Sequence, residues 1–144
     1  MQYQNYRIKS PVKSFRDLFV YQKTVQLSDE ITTLPFLDKE MYEKDKEQLK
    51  EIAENIPKLI AEAYGDKFDS KELAHKKITE AITLITNIIT KLDLLRQRFS
   101  ENQEAKDILD KLLTNYRTQK IKVLHLRKAW DRVFPNKNGP TKNN

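Results

Sequence analysis

Apolar positions recur at helical spacing in four stretches of the chain, and each stretch closes on a residue that a helix does not readily pass. Leu18, Tyr21, Val25 and Ser28 form one stripe, and Val20, Leu27, Ile31 and Leu34 form its neighbour. Ser14 followed by Asp17 reads as the start of this first helix. Pro35 stops it, having no backbone donor and disfavouring the helical region for Leu34. A second helix is predicted from Asp38. It is polar from Lys39 to Lys50, then carries an apolar face of Leu49, Ile52, Ile56, Leu59, Ile60 and Ala63. Pro57 falls inside that face. In a regular helix it costs about 3 kcal/mol, so a kink is expected, or a restart capped by Asn55. Gly65-Asp66 is the predicted end.

A capping box of Asp69 and Glu72 predicts the third helix, which runs to about Phe99. Its apolar set is wider than one face. Leu84, Ile88 and Leu95 lie off the Ile78–Ile85–Ile89 line, so they either broaden a core or form a surface between subunits. Ser100-Glu101-Asn102-Gln103 makes a polar break. The fourth helix then runs from about Gln103 to Val133, with Ala105, Ile108, Leu109, Leu112, Tyr116, Val123, Trp130 and Phe134 as its stripe and Pro135 as its end. No stretch alternates with period two. The expected fold is all-α, an antiparallel up-down-up-down four-helix bundle over residues 15–134. A basic arm (1–14) precedes it and a disordered polar tail (135–144) follows.

Composition narrows the function. The chain has 144 residues, enough for one domain. Two glycines are too few for a Gly-rich phosphate loop. The absence of cysteine excludes disulfides, thiolate metal sites and cysteine nucleophiles. No apolar run approaches the ~20 residues that cross a bilayer, and the first residues lack an apolar signal core, so no membrane association and a cytoplasmic location are expected. The net charge of +6 favours an acidic partner, nucleic acid first.

Two segments resemble a known family. Ser14-Phe-Arg-Asp-Leu-Phe-Val-Tyr-Gln-Lys23 and Ile56-Pro-Lys-Leu-Ile-Ala-Glu-Ala-Tyr-Gly65 are similar to the first-helix and second-helix motifs of bacterial four-helix-bundle proteins encoded in intervening sequences of large-subunit ribosomal RNA genes. The second motif includes the proline within helix two. This chain has Ala63 where that family usually has Gly, and Asp66 where a basic residue is common. The motifs cover about 20 residues; the remainder matches in helix order and length. The same superfamily includes the accessory protein of diversity-generating retroelements, whose closing helix Arg127 to Val133 loosely resembles. That likeness implies a homo-oligomer, a pentamer by preference, with nucleic acid and a reverse transcriptase as candidate partners. It implies no enzymatic chemistry.

His75 and His125 lie on different helices without metal-ligand spacing, and Glu72 with His75 reads as a surface pair. No catalytic residue, metal or cofactor is expected. Pro57, Asn55, Glu62 and Tyr64 read either as a kinked helix presenting a site or as a bend with Tyr64 packed at its end. Between Arg117 and Arg132 six cations face Asp131 alone. At about 100° per residue, Arg117, Lys120, Arg127 and Lys128 fall on one flank beside the Tyr116–Val123–Trp130 stripe. Such a flank suits phosphate binding, with Trp130 as a nearby aromatic. It equally suits an ordinary solvated face near a helix C-terminus, or a site for an acidic protein surface in an adaptor.

Overall fold

The computed structural model describes residues 14–133. Four helices fill most of that span: α1 (Phe19–Thr32), α2 (Glu43–Asp66), α3 (Lys71–Arg98) and α4 (Gln103–Val133). Short 3-10 turns at Phe15–Asp17, Pro35–Leu37 and Glu40–Tyr42 occupy the links, and no strand occurs among the described residues. Each helix packs on its sequence neighbour, and α1 closes the ring against α4. This is the expected up-down-up-down bundle. The basic arm, except Ser14, and the polar tail with Phe134 lie outside the described residues.

The punctuation is local chemistry, with shifts of a few residues. Ser14 and Asp17 do form a capping box, in which Ser14 N–H donates to the Asp17 carboxylate at 3.2 Å. The box caps the 3-10 turn at Phe15–Asp17 instead of the α-helix. Leu18 is extended (φ −76°, ψ 124°), which buries its side chain and starts α1 one residue later. Leu34 is also extended (φ −68°, ψ 113°), as the following Pro35 requires. Asp38 does not open α2. The 3-10 turn at Glu40–Tyr42 intervenes, and Asp38 instead accepts from Lys46 Nζ at 3.2 Å.

Pro57 neither ends nor restarts α2, and Asn55 caps no new helix. Pro57 is buried, as are Ile56 and Ile60, and burial of this face is a gain set against the lost ladder bond. The cap of α3 is Ser70, one residue after the expected Asp69; its hydroxyl accepts from Leu73 N–H at 3.2 Å. Asp69 N–H is instead used in a turn to the Asp66 carbonyl at 2.9 Å. At α4, Asn102 Oδ1 accepts from Ala105 N–H at 3.0 Å.

The core is aliphatic and continuous. Leu27, Ile31, Leu34 and Leu37 enter it from the first half of the chain, meeting Ile56 and Ile60 of α2, Ile78, Ile85 and Leu92 of α3, and Leu109 and Val123 of α4. Ile88 and Leu95 belong to this core, and Leu84 is half-buried against it. For Ile88 and Leu95 the core is the answer to the extra width of α3, which packs between α2 and α4. Across the α2–α3 turn, Lys77 Nζ lies 2.7 Å from the Asp66 carboxylate and 3.6 Å from that of Glu62. The Asp66 bond holds the Lys77 amine above its usual range.

Candidate nucleic-acid interface

The basic flank of α4 is real as a helix face but uneven in exposure. Arg117 and Lys128 are exposed, whereas Lys120 and Arg127 are half-buried at the edge toward α3. Arg127 Nη1 donates to Thr79 Oγ1 at 2.9 Å across the α3–α4 seam. This bond fixes the guanidinium while leaving four of its five N–H groups for other acceptors.

Two residues that the sequence pattern did not single out join this end of the bundle. Lys67 and Lys71, from the α2–α3 turn, line a crevice of about 10 Å³ with Arg127, Trp130 and Asp131, room for a single water. The Lys67 amine lies 3.2 Å from the centre of the Phe68 ring, 3.9 Å from Tyr64 and 5.8 Å from Trp130. Cation–π attraction favours this placement, and burial lowers the Lys67 pKa. The sequence signal is present but faint: aromatics stand three before and one after Lys67, and the third ring arrives from a distant helix.

Trp130 is half-buried and packs edge-on against Tyr64, with ring centres 6.4 Å apart. It is therefore part of the end packing more than a free stacking platform for the basic flank. The same contact decides the reading of the Pro57 segment. Tyr64 is buried at the end of the bundle, and Glu62 is engaged with Lys77. His75 finds its partner on α4, not within its own helix: Nδ1 lies 3.3 Å from Asp131 Oδ1 at the surface. Among the described residues, no three His, Cys, Asp or Glu side chains gather as metal ligands would. No helix among them is long and apolar enough to cross a membrane.

The opposite edge of α4 was not foreseen as a site. Between α1 and α4 lies an open groove of about 470 Å³. Gln119 lines it and is almost fully buried, and its side-chain carbonyl has no hydrogen-bond partner among the described residues. Nearby, Tyr116 is buried with its hydroxyl likewise unpartnered. Burial drives the phenol pKa upward, and the charge of Glu30 adds to the effect.

Fold and site together define a four-helix bundle with a basic flank on its closing helix. No protein-family model, no curated protein and no solved structure matches the chain.

Proposed function

We propose that this chain is a non-enzymatic bundle that binds nucleic acid through backbone phosphates, with Arg117, Lys120, Arg127 and Lys128 as the contacts. The observation that carries this reading is the Arg127–Thr79 bond. It holds one cation oriented at the edge of a basic face on which Arg117 and Lys128 are exposed, reducing the ordering cost of a phosphate contact. The resemblance to the ribosomal intervening-sequence bundles supports the same reading and adds a bacterial, cytoplasmic, homo-oligomeric setting, with a pentamer preferred. No part of that assembly is built on Ile88 or Leu95, which the bundle core occupies.

The test is salt-dependent binding to unrelated RNA and DNA sequences. If these side chains neutralise phosphates, the logarithm of affinity falls linearly with the logarithm of salt, by roughly 0.7–0.9 per contact. Replacing Lys120, Arg127 and Lys128 with Gln weakens binding to all sequences alike and flattens that slope. Thermal melting of the variant, and of a Lys120→Gln, Lys128→Gln pair that spares the Thr79 bond, separates lost charge from lost packing. Unchanged binding by a folded triple variant at every salt concentration would falsify the proposal.

One observation favours a second reading. Ile121 is 54% exposed and lies on the same outer face as Arg117 and Lys128. An apolar residue among cations suits an acidic protein partner, such as a reverse transcriptase that this chain would serve as an accessory subunit. Absence of binding to any nucleic acid, with retention of such a partner, selects the adaptor.

A further inference from the structure

The α1–α4 groove has a composition unlike the rest of the surface. Four carboxamides line it, Gln22 and Gln26 from α1 with Asn115 and Gln119 from α4. Lys23 and Lys122 stand among them, and no acidic residue does. Phe19 completes the lining with 81% of its surface exposed, the most exposed large apolar side chain among the described residues.

Each amide carries two donors and an acceptor with two lone pairs. Only part of that capacity is used within the fold: Gln22 donates to the Arg16 carbonyl at 2.7 Å, and Gln26 donates to the Glu30 carboxylate at 3.3 Å. Gln119 is the most telling of the four. It is 3% exposed, and its carbonyl oxygen is left without a partner among the described residues, which native interiors rarely tolerate without a reason.

We propose that this groove seats an unpaired base of a single-stranded nucleic acid, a proposal that rests on the nucleic-acid reading above and adds a second contact to it. Carboxamides present donor and acceptor side by side, the complement of a base edge. Lys23 and Lys122 are placed to meet the flanking phosphates, and Phe19 offers a face on which a base stacks. In a duplex, base faces and pairing edges are occupied, so the groove gives the protein a preference for single strands. The basic flank of α4 points away from the groove, at roughly 180° around the helix axis, so the two sites are separable by substitution.

The experiment compares the full chain with a Phe19→Ala, Asn115→Ala variant. Neither side chain makes a hydrogen bond among the described residues, and melting checks that the variant stays folded. Fluorescence anisotropy is read with one labelled RNA strand, alone and annealed to its complement. The parent is expected to prefer the single strand. The variant is expected to lose about tenfold in affinity for the single strand while keeping its affinity for the duplex. An unchanged single-strand affinity in the folded variant overturns the base seat, and does so even where the Lys120, Arg127 and Lys128 variant loses binding and the phosphate reading stands. A parent that prefers the duplex also overturns it. Binding of neither probe by the parent overturns the phosphate reading and the base seat together. A change in oligomeric mass in the variant, with nucleic-acid affinity intact, assigns the groove to a second copy of the chain and overturns the proposal.

Discussion

The two seams that α2–α3 and α1–α4 make are built from different materials. α2 and α3 share the broadest contact in the bundle and bring Ala53, Ile56, Ile60 and Ala63 together with Ile78, Ala81, Ile85 and Ile88 into the core, all of them fully buried. Alanines let the helix backbones approach, and isoleucines fill the remaining space; polar pairs such as Lys77 with Asp66 and Arg98 with Asp45 lie at the margins of this seam. α1 and α4 touch far less. Their side of the bundle holds a groove lined by amides, and α4 there buries the Tyr116 hydroxyl and the Gln119 carbonyl without partners among the described residues. The aliphatic seam supplies packing. The other gives up packing and keeps polar groups available, as binding surfaces do.

The largest expected effect tests the first half of that contrast. Ile85→Ala removes a fully buried side chain from α3, and it should cost about 2–5 kcal/mol in chemical denaturation. A loss below 1 kcal/mol, on the order of a surface change, would show that the α2–α3 seam is not the stabilising one.

The next tests the second half. Tyr116→Phe removes a buried hydroxyl that has no partner among the described residues, so stability should hold or rise by about 1 kcal/mol, where a satisfied hydroxyl would bring a loss. The pH dependence sharpens the point. In the unfolded chain the phenol ionises near pH 10. In the folded chain burial raises that pKa, so the native state holds a proton that the unfolded state releases. Stability therefore falls as pH rises above about 10, and the Phe variant should lose part of that slope in alkaline melting curves.

The smallest expected effect is a control on the exposed side of α2. Gly65 lies within the last helical turn, and a Cβ there meets nothing within 4 Å. Gly65→Ala should raise stability by roughly 0.4–1 kcal/mol by restricting the unfolded chain. A fall in melting temperature would mean that the turn needs glycine for a reason other than space.

The helices were legible in the sequence because their signals are local. Ser14, Pro35, Gly65-Asp66 and the polar run before Gln103 each act within one turn of the backbone, and the observed elements begin and end within a few residues of them. The misplacements are local competitions as well. Asp69 and Ser70 are both good caps, and the one whose hydroxyl reaches Leu73 N–H is selected by the turn that follows α2. The restart expected at Pro57 fails for a different reason. Its cost is local, whereas the burial that offsets it depends on neighbours supplied by the rest of the bundle.

Of the candidate interface, the sequence by itself determined the charge and the helical angle of Arg117, Lys120, Arg127 and Lys128, since both follow from residue type and the pitch of one helix. Tertiary structure alone decided what each of them touches. Thr79 and Arg127 are 48 positions apart, and His75 and Asp131 are 56 apart. Phe19 and Gln119 come to one groove from the first helix and the last. Such meetings depend on which helices become neighbours and at what register. Burial of the whole apolar set fixes that choice, and no periodicity within a single helix encodes it.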